Sequence, residues 1–101
     1  MTASRHSLTS VQAALAGLPH WQFDAAHHAL RRQYEFGDFS EAFAFMTRVA
    51  LLAERMNHHP DWRNVYRKVE VTLTTHDAAG VTDRDLEMAR AMDALVFMPP
   101  R

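Results

Sequence analysis

The chain has 101 residues, enough for one domain with one modest core and too few for two. Apolar residues make up 48% and charged residues 23%, as in soluble globular proteins, and no apolar run approaches the roughly 20 residues of a membrane span. The net charge of -1 argues against a nucleic-acid or anionic-membrane partner, and the lack of cysteine excludes disulfides and thiolate chemistry.

The N-terminal third predicts one helix and two strands. Thr9 with Gln12 forms a capping-box pattern ahead of "VQAALAGL", which predicts the start of the first helix. The segments "WQFD" and "ALRRQYEF" flank a polar link and predict two strands. The second segment alternates between two faces, with Leu30, Arg32, Tyr34 and Phe36 on one and Arg31, Gln33 and Glu35 on the other.

The middle of the chain predicts a long helix. Asp38 with Glu41 forms a second capping box. Spacings of three and four predict one apolar stripe facing the core, formed by Phe39, Phe43, Met46, Val49 or Ala50, Ala53 and Met56. The helix should end near Asn57 or His58, because Pro60 disfavours a helical conformation for the residue before it.

Two more strands and a third helix complete the prediction. "WRNVY" and "KVEVTLTT" read as strands, and in the second Val69, Val71 and Leu73 point to one side. Thr82 with Asp85 predicts the cap of a helix over "LEMARAMDALVF". The closing "FMPPR" cannot continue a helix and reads as a loose tail.

The predicted order is α-β-β-α-β-β-α, which indicates an α+β fold. We expect a single domain over residues 1–101, with its core over about 8–97, in which a four-stranded antiparallel sheet carries three helices on one face. Short sheets leave edges that can pair with a second subunit. The N-terminus has no apolar signal core, so we expect a cytoplasmic location.

Histidine is the residue type that stands out, with seven in the chain. His58 and His59 are adjacent at the predicted helix end, and His76 closes the strand "VTLTTH". Imidazole titrates near neutral pH, which suits proton transfer. Glu54 lies four residues before His58, on the same helix face, and could orient it. Helix ends and strand ends are where a site is usually assembled.

Each of these residues also has a structural interpretation. Asp85 could be only a capping carboxylate, and Trp62 or Tyr66 could be core residues of a strand. A metal site is disfavoured, because adjacent histidines point about 100° apart on a helix and opposite ways on a strand. "ERMNHHP" also lacks the four-residue histidine spacing of metalloproteases.

Together these residues resemble a known signature, that of the pterin-4a-carbinolamine dehydratases. The resemblance covers roughly residues 8–95 and is strongest over 36–85, including "FMTRVALLAE", "NHHPDWRNVY" and "VEVTLTTHDAAGVT". The residues that carry the signature are Glu54, His58, His59, Pro60, Tyr66, His76 and Asp85.

The resemblance implies an α+β fold with four antiparallel strands and three helices, and association into homodimers or homotetramers. It implies loss of water from 4a-hydroxytetrahydropterin to give the quinonoid dihydropterin, the activity of a 4a-hydroxytetrahydrobiopterin dehydratase. That reaction recycles the tetrahydropterin used in aromatic amino-acid hydroxylation, so a hydroxylase is an expected pathway companion. The pterin is the substrate, and no metal or organic cofactor is implied.

The resemblance implies that His58, His59 and His76 line the pterin pocket, with Asp85 nearby, and the chemistry of the reaction suggests a role for each residue. Dehydration needs a proton delivered to the leaving hydroxyl and one removed from N5, and we assign these steps to His58 and His76. His59 is expected to bind the pterin, Glu54 to orient His58, and Trp21 to stack on the ring. The candidate catalytic residues are therefore His58, His59, His76, Asp85 and Glu54, and the candidate substrate-binding residues are His58, His59, His76 and Trp21.

Two other functions stay open at this point. One is a non-catalytic pterin-binding or protein-dimerisation module, since some animal relatives bind a transcription factor as coactivators. The other is a homologue that acts on a different pterin, such as one on the molybdopterin route. The intact signature positions favour catalysis.

Overall fold

The computed structural model describes residues 4–96, so the predicted tail "FMPPR" lies outside the described residues. The order of elements is the predicted one, α-β-β-α-β-β-α, with a short 3-10 turn before the last helix. The elements are α1 (Leu8–Leu15), β1 (Gln22–Asp24), β2 (Ala29–Glu35), α2 (Phe39–Met56), β3 (Asp61–Val65), β4 (Lys68–Leu73), the 3-10 turn (His76–Ala78) and α3 (Asp83–Val96).

The four strands form one antiparallel sheet in the order β1-β2-β4-β3. Leu30 of β2 lies opposite Leu73 of β4, and Tyr34 lies opposite Val69. All four side chains are buried, while their neighbours Arg31 and Glu70 are exposed. This confirms the predicted alternation, in which one face of the sheet packs on the helices and the other is polar.

The long helix α2 packs on the sheet through part of the predicted stripe: Val49 and Ala53 are buried as predicted, but the first two turns of the helix use other residues. Its cap is as expected, with Asp38 Oδ1 accepting from the Glu41 N–H at 2.8 Å. Phe39 and Phe43, however, are 48% and 55% exposed, so placing them in the core was wrong. The buried positions are Ala42, Phe45, Val49 and Ala53.

The physical reason is that α2 carries two overlapping apolar stripes. Both satisfy the three-and-four spacing and both contain Val49 and Ala53, and the sheet takes the one that includes Ala42, whose small side chain allows close approach. Met46 and Met56 are partly buried against that core. The helix α1 differs in a smaller way: its cap is Ser7, whose Oγ accepts from the Ser10 N–H at 3.1 Å, and not Thr9.

One hydrophobic core joins the sheet to the three helices, with Val11 of α1, Val49 of α2 and Met92 of α3 all at 0% exposure. Within residues 4–96, no helix has both the length and the apolar character to span a membrane.

Candidate active site

The end of α2 places the histidine pair. Asn57 adopts a left-handed conformation with φ 50° and ψ 43°, and the next N–H, that of His58, donates to the Ala53 carbonyl at 3.1 Å. The helix therefore ends at Met56 with Asn57 as its cap, close to the end predicted from the position of Pro60. The chain then turns directly into β3, which begins at Asp61.

His58 is paired with Asp85 of α3. Its Nε2 lies 2.6 Å from Asp85 Oδ1, and the two side chains are 8% and 0% exposed. The predicted partner, Glu54, instead lies 2.8 Å from Nε2 of His59, and both of those side chains are more than half exposed. The expectation that Glu54 orients His58 was wrong, because Asn57 leaves the helical conformation and removes His58 from the Glu54 face.

Asp85 combines the two roles considered for it. Its Oδ2 accepts from the Thr82 N–H at 2.9 Å, which caps the start of α3, and from the Thr75 hydroxyl at 2.8 Å. The predicted capping box is half confirmed, since the Thr82 hydroxyl accepts from the Arg84 N–H at 3.3 Å and not from the N–H of Asp85. The carboxylate thus ties three elements together at the end of β4.

His76 begins the 3-10 turn directly after Thr75, and its side chain is 80% exposed. Its Nε2 lies 3.7 Å from Oδ2 of Asp61, two residues after His59. Because Thr75 contacts Asp85 and Asp85 contacts His58, the three histidines of the signature gather where α2, β3, β4 and α3 meet. The exposed imidazoles of His59 and His76 are accessible to a ligand, whereas the buried imidazole of His58 is fixed by its hydrogen bond to Asp85.

The turn that carries His76 is fastened by residues from the N-terminal part of the chain. Thr75 and Gly80 exchange backbone hydrogen bonds of 2.9 and 3.2 Å across it. The Val81 N–H donates to Nδ1 of His28 at 3.0 Å, and the Val81 carbonyl accepts from the His6 N–H at 2.7 Å. A Cβ on Gly80 would lie 2.5 Å from His28 Nδ1, so the close approach of this turn requires glycine.

A cleft of about 530 Å³ opens beside His76 on the polar face of the sheet. This is within the size range of small-molecule sites. Among the predicted site residues only His76 lines it, together with Asp24, His27, Ala29, Arg31, Asp61, Thr72, Thr74 and Ala79. A hydrogen bond from His27 at 2.8 Å lowers the pKa of Asp24 below its usual value. The cleft therefore offers fixed charges of both signs.

A second, larger cleft of about 720 Å³ lies farther along the same face, over Gln33, Arg63 and Glu70. None of the predicted site residues lines it.

Trp21 is not placed to stack on a ligand. The indole is 3% exposed, packs edge-on against Tyr34 and donates from Nε1 to both oxygens of Asp93, at 3.0 and 3.1 Å. Arg32 and Tyr34 also donate to Asp93. Burial and then the Asp93 carboxylate raise the pKa of Tyr34 far above its ordinary value of 10.0, so the phenol stays a donor. Trp21 is therefore part of a structural cluster, and its assignment to the substrate site was wrong.

Tyr66 of the signature also lies away from the histidines. It occupies the turn between β3 and β4 with φ 52°, and it is 61% exposed. That turn is at the opposite end of β3 from Asp61.

Sequence reasoning missed Thr75 and Asp61. The alternation of β4 could have found Thr75, because it continues the buried series Val69, Val71 and Leu73, and a hydroxyl on that face needs a partner. Within residues 4–96, no three His, Asp or Glu side chains converge closely enough to hold a metal ion.

Comparison with known proteins identifies the family of this chain. The sequence profile of the family described as Pterin 4 alpha carbinolamine dehydratase matches residues 4–95. A protein of Bradyrhizobium diazoefficiens, provisionally named a pterin-4-alpha-carbinolamine dehydratase, is 51% identical over 98 residues, which cover 97% of this chain and 98% of that one. A provisionally named relative from Synechococcus is 62% identical over 78 residues, or 77% of this chain and 82% of that one.

Solved structures agree. A crystal structure of a transcriptional coactivator/pterin dehydratase from Brucella melitensis superposes with a TM-score of 0.91 at 44% identity, over 93% of this chain and all of that one. A pterin dehydratase-like protein described as a RuBisCO assembly factor in the alpha-carboxysome shares the fold, with a TM-score of 0.67 at 22% identity over 78% of this chain and 92% of that one. The chain belongs to the pterin-4a-carbinolamine dehydratase family.

Proposed function

We propose that the protein is a 4a-hydroxytetrahydropterin dehydratase, which removes water to give the quinonoid dihydropterin by histidine acid–base catalysis. The observation that carries the proposal is the buried His58–Asp85 pair, held at 2.6 Å beside two exposed histidines of the family signature. Family membership supports the reaction class, and the paired imidazole supplies the proton chemistry that this reaction needs.

The reaction is balanced by two proton movements. A base takes the proton from N5, the N5 electron pair forms the C4a=N5 double bond, and the C4a hydroxyl leaves as water once an acid has protonated it. His58, backed by Asp85, serves as the base, because a carboxylate behind an imidazole stabilises the imidazolium that forms. His76 serves as the acid, because among the predicted site residues it is the one whose imidazole lines the cleft.

His59 and the cleft beside His76 bind the pterin in this scheme. Arg31, Asp24 and Asp61 line the cleft and offer charged partners for the polar edges of a pterin. The reaction transfers protons and no net electrons, and the histidines supply the acid and the base, so we propose that it uses neither a metal nor an organic cofactor. We propose recycling of the tetrahydropterin of an aromatic amino-acid hydroxylase as its place in metabolism, in the cytoplasm.

We also propose that the protein is a homo-oligomer, assembled through α2. Three large apolar side chains of this helix are exposed: Phe39 at 48%, Phe43 at 55% and Leu51 at 65%. Apolar side chains left uncovered along one helix are characteristic of a protein interface. A second copy of the chain is the proposed partner, because the resemblance to the family implies dimers or tetramers.

The experiment is a rate measurement with freshly generated 4a-hydroxytetrahydropterin, followed by ultraviolet absorbance. Wild type should accelerate dehydration, His58→Ala should lower kcat by about 10²-fold, and His59→Ala should raise KM more than it lowers kcat. Gln12→Ala is the control, since Gln12 is exposed on α1 and lines neither cleft. If the wild-type protein binds the pterin but does not accelerate its dehydration, this proposal fails and the protein is a pterin-binding module.

A further inference from the structure

A continuous chain of hydrogen bonds runs behind His58. The Thr82 and Thr75 hydroxyl oxygens are 2.7 Å apart, Thr75 Oγ1 is 2.8 Å from Asp85 Oδ2, and Asp85 Oδ1 is 2.6 Å from His58 Nε2. All four residues are buried, with exposures of 0% for Thr82 and Asp85 and 7% for Thr75 and His58. Water is therefore largely kept from the chain, and each donor and acceptor must find its partner within it.

The direction of the bonds between the hydroxyls follows from the carboxylate at the end of the chain, which accepts the single proton of the Thr75 hydroxyl. The Arg84 N–H can only donate, so Thr82 Oγ1 accepts from it, at 3.3 Å. Because the Thr75 hydroxyl gives its one proton to Asp85 Oδ2, Thr75 Oγ1 can only accept from Thr82, so the Thr82 hydroxyl donates to it. The Thr82 N–H, another obligate donor, reaches the same carboxylate oxygen at 2.9 Å.

Both oxygens of the Asp85 carboxylate act as acceptors. Oδ2 accepts from the Thr75 hydroxyl and the Thr82 N–H, and Oδ1 accepts from His58, so the proton of this last bond lies on Nε2 of the imidazole. The other nitrogen, Nδ1, makes no hydrogen bond to residues 4–96 and retains contact with solvent. A neutral imidazole protonated at Nε2 is an acceptor at Nδ1.

We propose that Thr75 and Thr82 are positioning residues of the reaction, which hold His58 in the Nε2–H tautomer and make Nδ1 the atom that takes the N5 proton. This inference rests on the proposed function and deepens it by assigning the acceptor atom. Thr75 also directly precedes His76 in the chain. It therefore contacts Asp85, the partner of the proposed base, and is covalently joined to the proposed acid. The relative placement of the two proton carriers therefore depends on Thr75.

The first test reads the tautomer without reference to activity. Nitrogen NMR of the full chain with labelled histidine should show His58 in wild type as a neutral imidazole with its proton on Nε2 and Nδ1 bare. Thr75→Val keeps the shape of the side chain and removes the hydroxyl, so this signature should be lost or mixed, and Thr75→Ser should restore it. Thr9→Val, at an exposed threonine of α1, is the matched control.

The second test is kinetic. Thr75→Val should lower kcat by about 10-fold with KM little changed, and Thr75→Ser should recover most of the rate, with urea unfolding confirming that each variant is folded. A folded Thr75→Val with wild-type tautomer and kcat would overturn the inference. If NMR shows the predicted tautomer but wild type lacks dehydratase activity, the positioning of His58 stands while the proposed function and the role of Nδ1 fail.

Discussion

At the scale of single residues, the site depends on which carboxylate reaches which imidazole. Asp85 is fully buried and holds His58, whereas Glu54 is 78% exposed and contacts only the exposed His59. Losing one partner of a buried pair costs far more than losing a surface ion pair, which contributes about 0–1 kcal/mol. Replacing the carboxylate by an amide should therefore have a large effect at Asp85 and a small effect at Glu54.

Asp85→Asn should lower kcat by roughly 10²-fold, because an amide no longer stabilises the imidazolium of His58. Glu54→Gln should leave kcat within about 2-fold of wild type, because the imidazole it contacts is already in water. Steady-state dehydration rates of both variants, with unfolding in urea as a check of stability, test this contrast. Equal losses in the two variants would contradict the assignment of Asp85 as the partner that matters.

At the scale of elements, the end of α2 determines where His58 lies. Asn57 holds a left-handed conformation that costs most residues about 1–2 kcal/mol, and that asparagine tolerates better than most. Asn57→Ala should lower the free energy of unfolding by about 1 kcal/mol, whereas Asn57→Gly should leave it unchanged or raise it slightly. Urea unfolding of the two variants measures the difference. An alanine variant as stable as the glycine variant would show that this cap is not under conformational strain.

The helices and strands could be predicted from the sequence more fully than the question of which side of each one packs on the core. Alternation in "KVEVTL" has one solution, so Val69, Val71 and Leu73 were placed correctly. Helix α2 has apolar residues on most of its surface, so periodicity alone could not choose between the Phe39–Phe43 side and the Ala42–Phe45 side. That choice depends on the shape of the sheet below, which no local pattern contains.

For the site, the sequence likewise predicted which residues take part but not how they pair. His58, His59, His76 and Asp85 came from the signature, and the structure brings them to one corner of the fold. Their pairing did not follow, because the four-residue spacing of Glu54 and His58 holds only while the helix continues, and it ends at Asn57. Trp21 was misassigned because its partner Asp93 lies 72 residues away in sequence.

At the scale of the whole molecule, the exposed apolar face of α2 predicts self-association. Phe43→Glu should shift the protein to a smaller assembly, because a carboxylate buried without a partner would oppose the interface. Leu8→Glu, at a similarly exposed leucine of α1, should leave the assembly unchanged. Sedimentation velocity of the three proteins measures the outcome. A wild type that is monomeric at all concentrations tested would rule out this role for α2.

The central claim is that His58 and His76 carry the protons of a pterin dehydration. The most direct measurement is the dehydration rate of freshly generated 4a-hydroxytetrahydropterin with wild type and with folded His58→Ala/His76→Ala. We predict that wild type accelerates the loss of water and that the double variant returns the rate to that of the uncatalysed reaction. A folded double variant that retains the wild-type rate would contradict the claim and move the chemistry away from the histidines.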